Sequence, residues 1–119
     1  MRTNIANEEY QGGNVSKTFI VVQLEIQGFH NWPDAFRGLE YLRQRHRHIF
    51  KVTIKKEVKR LDREIEIITL RNTVVEFYGN SAEFEDRSCE RIADEMLKRW
   101  DFDYVQVLED GENGAEVYK

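Results

Sequence analysis

An α+β fold of order ββααββ is what this sequence predicts, on three observations. Two long segments in the first half alternate apolar and polar residues, one apolar stripe of helical period lies near position 90, and alternation returns at the C-terminal end. The chain has 119 residues, 40% of them hydrophobic and 12% aromatic, which suits one domain with a true core. Residues 1 to 16 are polar, carry Gly12-Gly13 and show no period, so they read as a flexible tail ahead of a single domain over 17–119.

The elements follow in order. From Thr18 to His30, Ile20, Val22, Leu24, Ile26, Gly28 and His30 fall on one face and Gln23, Glu25 and Gln27 on the other, the period of a half-buried strand. Asn31 to Arg45 is a loop around the only proline, with Ala35, Leu39 and Leu42 spaced for a short helix over Asp34 to Leu42. A second strand opens at His46, with His46, His48, Phe50, Val52 and Ile54 inward and Arg47, Lys51, Thr53 and Lys55 outward. A turn near Leu61-Asp62 leads to an expected third, shorter strand over Glu64 to Leu70, and strands joined this way are expected to be antiparallel neighbours.

Leu70, Val74, Phe77 and Tyr78 then mark a first helix stopped by Gly79-Asn80. Ser88 is the expected N-cap of a second, in which Cys89, Ile92, Ala93, Met96, Leu97 and Trp100 form one stripe. Tyr104 to Glu109 alternates again, and after the turn of Asp110-Gly111 the segment Ala115 to Tyr118 pairs back as a hairpin.

Composition narrows the partners. A net charge of −4 speaks against binding nucleic-acid polymers through bulk charge, and no apolar run approaches the roughly 18 residues of a membrane span. A single Cys allows no internal disulfide, so a cytoplasmic setting is expected.

The three histidines share a phase. His30 ends the inward face of the first strand, and His46 and His48 begin that of the second. An antiparallel pairing brings all three imidazoles to one end of one face, the ligand set of an open zinc site. The alternative is a basic strand end with solvated imidazoles, since Arg43, Arg45 and Arg47 surround them.

His30 with His46-Arg47-His48-Ile49-Phe50-Lys51-Val52 resembles the zinc motif of the 6-pyruvoyl- and 6-carboxy-tetrahydropterin synthases. Ser88-Cys89-Glu90-Arg91-Ile92-Ala93 is similar to that family's helix start, and Val107-Leu108-Glu109 to its strand ending in a ligand-anchoring Glu. The resemblance covers about residues 17 to 118. It implies a T-fold, an antiparallel sheet with two helices on one face, whose subunits assemble side by side into a barrel. It also implies Zn2+ on His30, His46 and His48, and Glu109 gripping the amidine-like edge of a pterin or purine between subunits.

Two departures bear on function. The position of the synthases' catalytic Cys, four residues before the first His of His-x-His, is Leu42 here, and no further His remains for an Asp-His proton relay. Glu40 is the nearby candidate for a general base, with a solvated loop carboxylate as the plainer reading. Cys89 lies on an apolar stripe, where an inert buried thiol is expected. Phe29 and Trp32 flank His30 and could stack on a heterocycle, or Trp32 could pin its loop. Arg43, Arg45, Arg47 and Lys51 are candidates for binding a phosphorylated ligand, although Arg47 and Lys51 face away from the histidines.

Three functions follow. The first is a homo-oligomeric binding protein that holds or sequesters a purine- or pterin-like nucleotide. The second is a zinc-dependent lyase of the synthase type with an altered acid–base set, and the third a structural oligomer with a metal staple.

Overall fold

Thr18–His30 and His46–Val58 form β1 and β2, thirteen residues each, paired antiparallel along their full length from Thr18↔Val58 to His30↔His46. The structure is a computed structural model and describes residues 16–119, so nearly all of the expected tail lies outside the described residues. The inward faces of β1 and β2 are those their alternation predicts. Val22, Leu24 and Ile26 on β1 and Phe50, Val52 and Ile54 on β2 are buried, while Gln23, Glu25 and Lys51 are exposed.

The remaining elements are α1 (Ile67–Tyr78), β3 (Ala82–Glu85), α2 (Cys89–Trp100), β4 (Tyr104–Glu109) and β5 (Asn113–Tyr118). The sheet order is β3-β1-β2-β4-β5. All pairings are antiparallel except β3 with β1, so the sheet is mixed and five-stranded rather than purely antiparallel. This α+β architecture is compatible with a ββααββ-like order into which β3 is inserted. Helices α1 and α2 share one core with the inward faces of β1, β2 and β4: Val74 from α1, and Ile92, Ala93, Met96 and Leu97 from α2. Burying an Ile or Met side chain contributes about 1.5–3 kcal/mol each, so the α2 stripe is a major anchor of the sheet.

Two local expectations are corrected. Glu64 to Leu70 is not a strand. Asp62 and Arg63 turn the chain at positive φ, and Glu66 then N-caps α1, its carboxylate accepting from the N–H groups of Ile68 (2.9 Å) and Thr69 (2.8 Å). The alternation of Ile65 and Ile67 therefore belongs to a turn and a helix start. The helix expected over Asp34 to Leu42 is a single 3-10 turn, Glu40–Arg43.

Strand β3, not foreseen from the sequence, runs parallel to the last residues of β1, with a register shift that leaves Phe84 between Glu83 and Glu85. Phe84 is buried against Phe50, ring centroids 5.1 Å apart. Gly28 makes room for both rings, since a Cβ there would lie 2.6 Å from Phe84 and 2.9 Å from Phe50. No helix among the described residues is long and apolar enough to cross a membrane.

Candidate metal and ligand site

His30 and His46 face each other in the β1–β2 register, and His48 stands opposite Gly28, one step along the same face. The rings meet edge to face, with centroids 4.6 Å (His30–His46), 4.9 Å (His46–His48) and 5.2 Å (His30–His48) apart. One ring nitrogen from each lies within 4.8 Å of the others, close enough to hold a metal ion. Phe50 forms the apolar floor beneath His30 and His48, at 5.3 and 5.6 Å.

Each imidazole is held by its Nδ1. His30 Nδ1 donates to the Arg87 carbonyl (3.0 Å), His46 Nδ1 to the Gln44 carbonyl (2.8 Å), and His48 Nδ1 to the Asp110 carboxylate (2.7 Å). A carbonyl or carboxylate oxygen only accepts, so the proton sits on Nδ1 in all three and Nε2 is the nitrogen left for a ligand. Anchoring the far nitrogen fixes tautomer and ring direction, which is how protein metal sites orient histidine. Three imidazoles, each with Nδ1 tied back, form a donor set able to hold a metal ion.

Several elements cooperate here. Strand β3 docks beside His30, with Asn31 N–H donating to the Glu85 carbonyl (2.8 Å), and so carries the Arg87 carbonyl to His30. On the other side Asp110 sits at φ +54 just after β4. It is tied to β2 by its own N–H to the Ile49 carbonyl (2.8 Å) and by the Ile49 N–H to its carboxylate (3.0 Å).

Glu109 points into the triad. Its Oε2 is 3.1 Å from His30 Nε2 and its Oε1 3.7 Å from His48 Nε2. Without a metal, His30 thus has an acceptor at both nitrogens, an arrangement that favours its protonated form. Burial opposes that charge, but the Glu109 bond, the Arg87 carbonyl and the Glu109 charge outweigh it and raise the His30 pKa above its ordinary 6.5. The His30 bond holds the Glu109 carboxyl below its ordinary 4.5 against the opposing effect of burial, with the charges of His48, His30 and His46 assisting.

A cavity of about 500 Å³ opens beside the triad, its wall including His30, His46, Trp32, Cys89, Glu109 and Asn113. Of the ligand contacts expected from the sequence, Glu109 and Trp32 line it. Trp32 also packs edge-on against Phe36 (5.1 Å). Phe29, Arg43 and Arg45 do not line it. Arg45 stacks over the Phe29 ring at 3.7 Å and forks onto Glu83, while Arg43 donates to the Ala35 carbonyl (2.9 Å) and braces the loop. Arg47 and Lys51 face away from the triad, toward Gln27 and Glu25.

Glu40 accepts from the Gly38 N–H (2.8 Å) in the exposed 3-10 turn, outside the cavity wall. Cys89 opens α2 and is buried, and burial with the neighbouring Glu109 carboxylate pushes its thiol up to about 12. A thiol held neutral in this way is not a nucleophile. Sequence reasoning missed Asp110 and the carbonyls of Arg87 and Gln44. The first could have been sought as an acid beside Glu109, but main-chain acceptors leave no mark in a sequence. Comparison with family models and with curated proteins finds no match to this chain.

Proposed function

We propose that this protein binds a planar, purine- or pterin-like heterocycle, phosphorylated nucleotides included, in the cavity beside the histidine triad, with zinc on His30, His46 and His48. The observation that carries the reading is that Glu109 and two of the three histidines open onto one cavity of heterocycle size. A carboxylate accepts two parallel N–H bonds from an amidine-like edge, which gives both affinity and orientation. Trp32 lines the same wall, and its ring would stack on the bound heterocycle.

Zinc, when bound, supplies a Lewis acid and fixes the three imidazoles. Binding is favoured over lyase chemistry because Cys89 is held as a neutral thiol and Glu40 lies outside the cavity wall. A homo-oligomer of the T-fold kind fits the open edges. Among the described residues, 18–27 of β1 have no strand partner on the side away from β2, and β5 pairs only with β4.

The test is calorimetric titration of the zinc-loaded protein with guanosine, GTP and neopterin, with light scattering to count subunits. Binding of at least one heterocycle, lost in Glu109→Gln, is the expected result. No binding of any of them overturns the reading and leaves the metal staple in front. Product formation from dihydroneopterin triphosphate above the zinc-only background would make the protein a lyase instead.

A further inference from the structure

We infer, on the zinc reading above, that Glu109 is a fourth protein ligand to the metal, so that the ligand-free site is closed rather than open. The two oxygens of this one carboxylate face two different members of the triad, Oε2 toward His30 Nε2 at 3.1 Å and Oε1 toward His48 Nε2 at 3.7 Å. Zinc bonds of about 2.0–2.1 Å place neighbouring donors of a tetrahedron about 3.3 Å apart. Glu109 stands near that separation from two histidines whose Nδ1 atoms are tied elsewhere, with a different oxygen toward each.

The reach is set by the backbone. Glu109 is the last residue of β4, in register with Phe50, and the next residue is locked to Ile49 through both its N–H and its carboxylate. Glu109 and Asp110 consequently address opposite nitrogens of His48, Asp110 at Nδ1 and Glu109 toward Nε2. Such a carboxylate either completes the metal site or grips a heterocycle. The two occupants then compete for it, and each lowers the affinity of the other by the same factor.

Metal alone tests this. Zinc affinity is measured for wild type and Glu109→Gln by competition with a chromophoric chelator, and the Co2+-loaded wild type is titrated with thiocyanate. The expected results are a loss of tenfold or more in zinc affinity for the variant, and intense four-coordinate cobalt bands in wild type that thiocyanate leaves unchanged. A folded Glu109→Gln with wild-type zinc affinity overturns the inference while leaving the zinc reading intact. If the variant does not fold, the wild-type titration decides alone, since a thiocyanate response there reveals an open position and overturns it. Wild type that takes up neither metal overturns the zinc reading itself.

Discussion

His48 Nδ1 donates to Asp110 Oδ2 across 2.7 Å, and the other oxygen of the same carboxylate accepts the Ile49 N–H at 3.0 Å. Asp110 therefore holds both the ring of His48 and the main chain beside it. The His48 bond and the Ile49 N–H keep its carboxyl below the ordinary 3.8, so it is ionised at neutral pH. Replacing Asp110 by Ala is expected to weaken zinc binding by about 10–100-fold, the scale at which such outer partners act. Asp110→Asn tolerates the positive φ and keeps an acceptor, so it should fall in between. Competition with a fluorescent chelator measures both. A folded Asp110→Ala protein that binds zinc as wild type does would show that the contact does not orient His48.

The His30–Glu109 contact predicts opposite pH responses with and without metal. The His30 pKa is raised above 6.5, so in the metal-free protein its contribution is complete below that value and is lost as pH rises through the higher folded value. Glu109 is lowered from 4.5, so its contribution is present above 4.5 and is lost as pH falls through the lower folded value. The metal-free protein should thus gain most from the pair in the mildly acidic window between them. Metal inverts the trend, because protons compete with zinc for the imidazoles. Urea midpoints from about pH 5.5 to about pH 8.5 should show the wild-type advantage over Glu109→Gln shrinking with pH in chelator. The gain from added zinc should grow over the same range. A wild-type advantage in chelator that is flat with pH would exclude the ionised pair.

The convergence of the histidines was legible because side chains on a strand alternate. His30, His46 and His48 share parity with the core positions Ile26 and Phe50, and full antiparallel pairing then brings them together. The α2 stripe was legible for the same kind of reason, a period sustained over twelve residues. Strand β3 was not. It has four residues, and Ala82 and Phe84 are its only inward positions, too short a run to register as a period. Its parallel pairing depends on a docking to β1 that no local pattern signals. The two carbonyls that orient His30 and His46 are equally silent, because every residue carries one. Glu109 is expected as a ligand anchor chiefly through the family resemblance, which nothing in the fold tests, and its approach to His30 depends on how β4 ends against β2.

Gly28 ties the core to the triad. A methyl group there would sit 2.6 Å from Phe84 and 2.9 Å from Phe50, and Phe50 is the floor under His30 and His48. Both rings are fully buried in the core, so neither can yield by swinging into solvent. Gly28→Ala is therefore expected to cost about 1–3 kcal/mol, the usual range for overpacking a filled core. Urea unfolding would report it as a lower midpoint with an unchanged slope. An unchanged midpoint would mean that Phe84 does not pack over β1 as described.

Glu66 decides the local structure of the segment that alternation assigns to a strand. Its carboxylate accepts from Ile68 N–H, Thr69 N–H and the Thr69 hydroxyl, satisfying two of the donors that a helix start leaves without an intrahelical partner. A negative group at this end also meets the favourable pole of the helix dipole. The bonds from Ile68 and Thr69 hold its carboxyl below 4.5, so the stabilisation is present above that value and is lost as pH falls through the lower folded one. Glu66→Ala should unfold more readily than wild type at neutral pH, and the two should converge in strong acid. The amides of Ile68 and Thr69 should lose hydrogen-exchange protection in the variant, while those of the β1–β2 ladder keep theirs. Equal protection of these two amides in both proteins would exclude the cap as what starts α1 at Ile67.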